Sequence, residues 1–342
     1  MASGQAALPP AARVLPSNLF YGWYITLACA GLMLVGVGVG YYGLPIFLKP
    51  LSEEHGWSTA EVSWAPAIYF CVSGLTGAIA GPYIDEHGPR GLMFFGMLAN
   101  AICAALIGLV NELWQLYAVY FAFAVAFGMS AGVAVNAIIT RWFIRKRALA
   151  MSISATGVSL GGVILAPVAS SLIDLGGLKL ATPVLGALVL VVAIPVILLV
   201  LVWDPQNMGL LPDGDEDPAR EESSGRSLLP ASQMRTWTRG TAAGTVAFWA
   251  LLMAFVFVLI AQTGYIIHQV SFLEERLGSR STASLTISLT AFGSIVARLV
   301  VGIFADGVDK RLLTFALFVT QALCVAVVAH VDSVPVTWIV TL

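Results

Sequence analysis

The run from Ser281 to Ala305 is apolar and of membrane-spanning length, and Arg298 is the one charged side chain within it. A guanidinium at bilayer depth is costly unless it faces a cavity, a partner or an anionic ligand. The chemistry it offers is recognition: it stays charged and presents a planar pair of donors that match two carboxylate oxygens. The alternative use of such a residue is structural, paired with helix carbonyls or snorkelling to the interface. Other polar side chains lie in apolar runs: Tyr42, Asn136, Gln262, Tyr265, His268 and Gln269. Each could orient a hydroxyl or oxo group of a ligand, or equally make an interhelical hydrogen bond. His268, near the outer end of its run, also has the side-chain type that titrates near neutral pH.

Bond-making chemistry finds no such inventory. No Ser/His/Asp or Cys/His constellation converges, no metal-ligand cluster exists, and no glycine-rich loop follows a strand to cradle phosphate. Cys29, Cys71, Cys103 and Cys324 all sit in apolar runs without CxxC spacing, so they read as packing residues. The chain is expected not to be an enzyme and to need no cofactor or metal. A net charge of -2 without a basic patch makes nucleic acid an unexpected partner.

The elements that must position Arg298 follow from composition. With 58% hydrophobic residues, 11% charged residues and a mean hydropathy of +0.89, the chain reads as an all-α polytopic membrane protein. Runs long enough to cross a bilayer fall at about 21–49, 59–84, 91–110, 113–140, 147–172, 180–202, 243–270, 282–305 and 311–330. A tenth begins near Val334 and reaches Leu342, too short to cross, so the second group of spans is expected to be incomplete here, with about 9 to 10 helices present. Residues 1–20, with three prolines and Arg13 as the only charge, read as a cytoplasmic N-terminal tail, and no cleavable signal is expected before the first span. Residues 21–203 form a first bundle of six spans, and 242–342 a partial second bundle of spans 7 to 9 and the start of 10. Residues 204–241, rich in Pro, Gly, Ser and charge, read as a cytoplasmic linker.

Orientation follows from Lys and Arg. A cytoplasmic N-terminus puts Arg13, Arg90, Arg141, Arg145, Lys146, Arg147, Arg220, Arg226, Arg235, Arg239, Lys310 and Arg311 inside, against Lys49, Lys179, Arg276 and Arg280 outside. The excess of Arg over Lys and the abundance of Ala, Gly and Val suggest a GC-rich bacterial source, hence the inner (plasma) membrane, with a eukaryotic plasma membrane as the alternative.

An internal repeat joins the two bundles. Gly81-Pro-Tyr-Ile-Asp85-Glu-His-Gly88-Pro-Arg90 is matched by Gly302-Ile-Phe-Ala-Asp306-Gly-Val-Asp309-Lys-Arg311, with the glycine, the aspartate and the final arginine all offset by 221 residues. The segments that enter these two spans also correspond, Gly56-Trp-Ser58-Thr-Ala60 facing Gly278-Ser-Arg-Ser281-Thr-Ala283. At a cytoplasmic helix end, Asp85 or Asp306 can interact with the positive N-terminus of a helix from the opposite bundle and hold the inner side shut. The plainer reading is a solvated turn that enforces topology. Glycines also crowd the first span at Gly36, Gly38, Gly40 and Gly43 and the fifth at Gly157, Gly161 and Gly162, a pattern that lets backbones approach closely.

The first copy of the repeat, G-x-x-x-D-x-x-G-x-R between the second and third spans, resembles the loop signature of the major facilitator superfamily. Trp142-Phe143-Ile-Arg145-Lys146-Arg147-Ala-Leu149-Ala-Met-Ser-Ile-Ser-Ala-Thr-Gly157 looks like the signature that opens the fifth helix of its monocarboxylate and oxalate/formate porters, and Glu61-Val-Ser-Trp64 and Tyr21-Gly-Trp23 point the same way. The resemblance implies a major facilitator fold of two pseudosymmetric six-helix bundles. It also implies a secondary transporter of small organic anions, monocarboxylates foremost, working by alternating access in the lipid bilayer with a coupling proton or counter-anion. In that family Arg298, in the context Ala297-Arg298-Leu-Val-Val-Gly302, would face the central cavity and bind substrate carboxylate; at 1.5 Å per residue it lies about 12 Å from Asp306. The pseudosymmetry would bring Asp306 to the start of the fifth helix near Arg145 to Arg147. The partner of Asp85 would lie in an eleventh helix. Animal monocarboxylate porters use a first-helix lysine and an eighth-helix aspartate for proton coupling, where this sequence has Tyr42 and Ser294. Efflux of a neutral or cationic amphiphile, or a transporter-like receptor without flux, are the competing readings.

Overall fold

A computed structural model describes residues 9–13, 16, 19–214, 239–277 and 280–330, and their side chains except at 13, 44, 45, 49, 59, 239, 263–291, 328 and 329. The short tenth run, most of the linker with Arg220, Arg226 and Arg235, and the start of the tail lie outside the described residues. Among those described, regular structure is helical throughout, and six helices are long and apolar enough to cross a membrane. Helices suit this setting because each satisfies its own backbone where no water is at hand.

Local chemistry sets most boundaries. α1 (Tyr21–Val37) runs through a five-residue π-turn, Gly38–Tyr42, into α2 (Gly43–His55), which Gly56 ends in the left-handed region at φ 68°. α3 (Thr59–His87) opens on a capping box: the Glu61 amide donates to Ser58 Oγ at 3.2 Å, and the Ser58 amide to Glu61 Oε2 at 2.8 Å. α4 (Arg90–Leu106) follows, and α5 (Leu113–Ser130) opens on a second capping box, Glu112 with Gln115. The expected fourth span, 113–140, is interrupted at Ala131 (φ -98°, ψ -130°) before α6 (Gly132–Trp142).

The expected fifth and sixth spans are two helices that adjoin at Gly176 and Gly177, whose backbone is non-helical, the latter at φ 70°; together they are labelled α7 (Arg147–Pro195). At 1.5 Å per residue a straight helix of that length far exceeds the bilayer core. The two glycines therefore carry a reversal, and contacts at both ends agree. Tyr21 Oη donates to the Val200 carbonyl at 2.9 Å, while its ring packs on Trp142, five residues before α7 begins. Both ends of the hairpin thus lie beside the start of α1.

Part of the expected tail is also packed rather than free. The Phe20 ring meets Trp142 and Phe143 at centroid distances of 5.8 and 5.7 Å, because an aromatic residue preceding a span finds the buried signature aromatics beside it.

Two compact units result: residues 1–214 with 295–307, and 215–294 with 308–342. In the first, α1 and α7 meet backbone to backbone. A Cβ at Gly161 would stand 2.6 Å from the Leu34 carbonyl oxygen and 2.9 Å from Gly38 Cα, and one at Gly157 would strike the Ala30 carbonyl. Lipid tails are as apolar as leucine, so such close packing, more than exclusion of water, holds neighbouring spans together. Large apolar residues accordingly remain on the outside, including Leu75, Ile79, Phe95 and Val191. The second unit contains α8 (Arg239–Ala243), α9 (Val246–Leu277), the first part of α10 (Arg280–Ala305) and α11 (Lys310–His330). There Phe255 and Phe318 pack edge to face at 5.4 Å.

Gly161→Val should force α1 and α7 apart and destabilise the protein by about 1–3 kcal/mol. The melting temperature in detergent should fall, whereas Gly31→Ala, with open space around its Cβ, should leave it nearly unchanged.

Candidate functional site

Three backbone segments of the first unit surround Arg298: the π-turn after α1, the first half of α7 and the last turns of α10. Arg298 is half-buried and donates from Nη1 to the Ala155 carbonyl at 2.6 Å. A guanidinium carries five N–H donors, so this bond leaves capacity for an anion while fixing the side chain. The Tyr42 hydroxyl lies within electrostatic reach of the guanidinium. Its ring rests on Gly162, where a Cβ would come within 2.8 Å of the ring carbons, and packs edge to face on Tyr41 at 5.1 Å. Glycine at 162 and the wide π-turn together let a tyrosine fit between α1 and α7. Such turns recur at functional sites because they re-aim side chains and loosen the hydrogen-bond ladder.

The other candidates are placed apart. Asn136 is exposed on α6, and Gln262 is exposed on α9 in the second unit. The side chains of Tyr265, His268 and Gln269 lie outside the described residues. Sequence reasoning did not single out Tyr69, Tyr120 and Asn100, whose buried polar atoms have no hydrogen-bond partner among the described residues. Polar residues inside apolar runs were the available signal, but tyrosine is common in such cores.

Below Arg298 on α10, the second copy of the repeat meets the start of α7. Asp306 accepts from the Ala148 amide at 2.9 and 3.1 Å and from the Leu149 amide at 3.3 Å. The first turn of a helix has amides with no partner of their own and carries the positive end of its dipole. Asp306 thus caps α7 from another helix, at backbone amides one and two positions past Arg147. Gly302 permits the approach: a Cβ there would meet the Ser152 Cβ at 2.5 Å. Of the signature residues, Trp142 and Phe143 are fully buried, and Trp142 Nε1 donates to the Val202 carbonyl at 2.9 Å. Arg147 donates to the Phe143 and Thr140 carbonyls at 3.2 and 3.1 Å, capping the end of α6. Arg145 and Lys146 are exposed at the bend between α6 and α7.

The first copy is arranged differently. Gly81 is half-buried on α3 and Asp85 is exposed. Gly88 adopts φ 79° against the Trp203 ring, and Arg90 donates to the Leu198 carbonyl at 2.6 Å. Arg311 belongs to the second unit, where its amide donates to Asp309 Oδ1 at 2.8 Å at the start of α11.

Apolar helices of bilayer length, packed through glycines, with an arginine inside an apolar helix, define a polytopic α-helical membrane protein. The sequence matches the family described as Major Facilitator Superfamily over residues 27–342, and the chain belongs to that superfamily of membrane transporters. Among characterised proteins it is similar to the oxalate:formate antiporter of Oxalobacter formigenes, 28% identical over 175 residues covering 50% of this chain and 41% of that one. It is also similar to the fujikurins efflux protein of Gibberella fujikuroi, 30% identical over 137 residues covering 38% of this chain and 27% of that one. Monocarboxylate transporter 11 of Homo sapiens is 24% identical over 315 residues, 88% of this chain and 60% of its own length. The chain spans less than two thirds of the length of each. In fold it is similar to a bacterial homologue of the human lysosomal transporter Spinster, with a TM-score of 0.60 at 18% identity over 96% of this chain and 73% of that structure.

Removing the Asp306 carboxylate should uncap α7. Asp306→Ala is expected to cost about 1–3 kcal/mol and to lower the melting temperature in detergent, and Asp306→Asn, which keeps a neutral acceptor, should lower it less.

Proposed function

We propose that the protein is a secondary transporter of small organic anions, with monocarboxylates as its main substrates, and that Arg298 is the anchor for the substrate carboxylate. The observation that carries this reading is the setting of Arg298: a guanidinium inside an apolar helix, held by the Ala155 carbonyl at 2.6 Å and within electrostatic range of Tyr42. An anion arriving there would gain a charge-assisted pair of hydrogen bonds where little water competes. Tyr42 would supply a further donor to a carboxylate or a neighbouring oxo group. Gln262, Asn136, Tyr265 and His268 remain secondary candidates for substrate contact. Similarity to an oxalate:formate antiporter and to a monocarboxylate transporter supports the substrate class.

Alternating access would expose this site to each side in turn, with Asp306 on the α7 amides closing the cytoplasmic side and Asp85 in the equivalent role for the other half. The N-terminus would be cytoplasmic in a plasma membrane, and a proton or counter-anion would drive net movement. A second reading, efflux of a neutral or cationic small molecule, is favoured by similarity to the fujikurins efflux protein.

Uptake of radiolabelled lactate, pyruvate, formate and oxalate into proteoliposomes tests the proposal. Saturable uptake of at least one acid is expected. Arg298→Ala should weaken its apparent affinity by at least about tenfold, and Arg298→Lys, which keeps the charge without the planar fork, should weaken it less. Uptake indifferent to Arg298→Ala would reduce that residue to a structural role, and the absence of any carboxylate flux would favour export.

A further inference from the structure

The bend between α6 and α7 is held by a second carboxylate, which comes from the segment after α7. After α7 the chain returns along the cytoplasmic end of the first unit and binds it at successive points. The Trp142 indole donates to the Val202 carbonyl, the Trp203 ring stacks under Arg141 at 4.1 Å, and Asp204 pairs with Arg141 at 3.0 Å. The last point is Asp213. Its Oδ2 accepts from the amides of Ile144 and Arg145 at 2.9 and 2.8 Å, and its Oδ1 from the amide of Lys146 at 3.2 Å. Asp213 is also the one non-glycine residue with positive φ, 59°, among the described residues, and Gly214 follows at 74°. A non-glycine residue held there is strained, and such strain persists where surrounding contacts demand it. Here the left-handed pair turns the carboxylate into the bend.

The amides of Ile144, Arg145 and Lys146 lead directly to those of Ala148 and Leu149, which Asp306 occupies. We propose that Asp213 is a positioning residue for the cytoplasmic latch. By fixing the bend, it holds the first turn of α7 in the orientation that receives Asp306, and Arg147 braces the same corner from the α6 side. Asp213 and Gly214, although inside the expected 204–241 linker, belong to the first unit. The inference rests on the reading of Asp306 as a gate.

The test uses a reporter inside the latch. In the full chain with Cys29, Cys71, Cys103 and Cys324 replaced by alanine, Ser152→Cys places a thiol against Gly302. Its alkylation by a membrane-impermeant maleimide is followed in inside-out vesicles. Asp306→Ala should accelerate labelling by about tenfold, the scale of losing charge-assisted hydrogen bonds. Asp213→Ala should accelerate it comparably and Asp213→Asn less, while the double variant should label no faster than Asp306→Ala alone. Should Asp213→Ala fail to accumulate, Asp213→Asn carries the test. Acceleration by Asp306→Ala but by neither Asp213 variant, even with a lowered melting temperature, would reduce Asp213 to a structural tie and overturn the inference alone. Labelling unchanged by Asp306→Ala would overturn the gate and the inference together.

Discussion

Backbone amides at the start of α7 need acceptors that their own helix does not provide, and this requirement organises one end of the first unit. Five amides between Ile144 and Leu149 are taken by two carboxylates, one from the segment after α7 and one from α10. A helix terminus left bare has several donors without a helical partner; one met by carboxylates satisfies them and also gains from the macrodipole. The buried Trp142 and Phe143 and the Arg147 cap set the end of α6 so that these amides point outward together.

That corner transmits nothing unless the helices behind it move as blocks. Contact between α1 and α7 through Gly38, Gly157 and Gly161 gives the first unit such a block, because backbone atoms in van der Waals contact have no side-chain freedom to absorb displacement. Higher in the bundle, Gly162 yields its space to the Tyr42 ring, and the same two helices that are locked at one level admit a polar side chain at the next. Close backbone contact and room for the Tyr42 ring both come from one run of small residues, Gly157 to Gly162, that begins two residues after the Arg298 partner Ala155.

Much of this was legible in the sequence because it depends on local or repeated patterns. Apolar runs of bilayer length mark the spans, Ser58 with Glu61 marks the entry to α3, and the 221-residue repeat marks two related halves and the family. The repeat also drew attention to Asp306 and to the start of the fifth span. Elements that depend on distant return of the chain were not legible. Asp213 sits in a stretch whose composition reads as linker, and its partners lie 67 to 69 residues earlier. The interruption at Ala131 has no proline or glycine at that residue to announce it. The reversal at Gly176 and Gly177 falls in the expected gap between two spans, but nothing in hydropathy says that helical backbone continues up to both glycines.

The π-turn at Gly38–Tyr42 has a consequence for how α1 and α2 are compared with related helices. A π-turn closes with one more residue than an α-turn, so the side chains beyond it lag by about one residue, or 100°, relative to an unbroken α-helix. The turn is a phase slip: the face of α1 that meets α7 before Val37 is continued after Tyr42 by residues one position later in the chain. Removing one residue here would restore α-helical phase and leave the following side chains of α2 on the faces they now occupy, each with a number lower by one. Position-by-position equivalence with a relative therefore holds on both sides of this turn only if that relative carries the same slip.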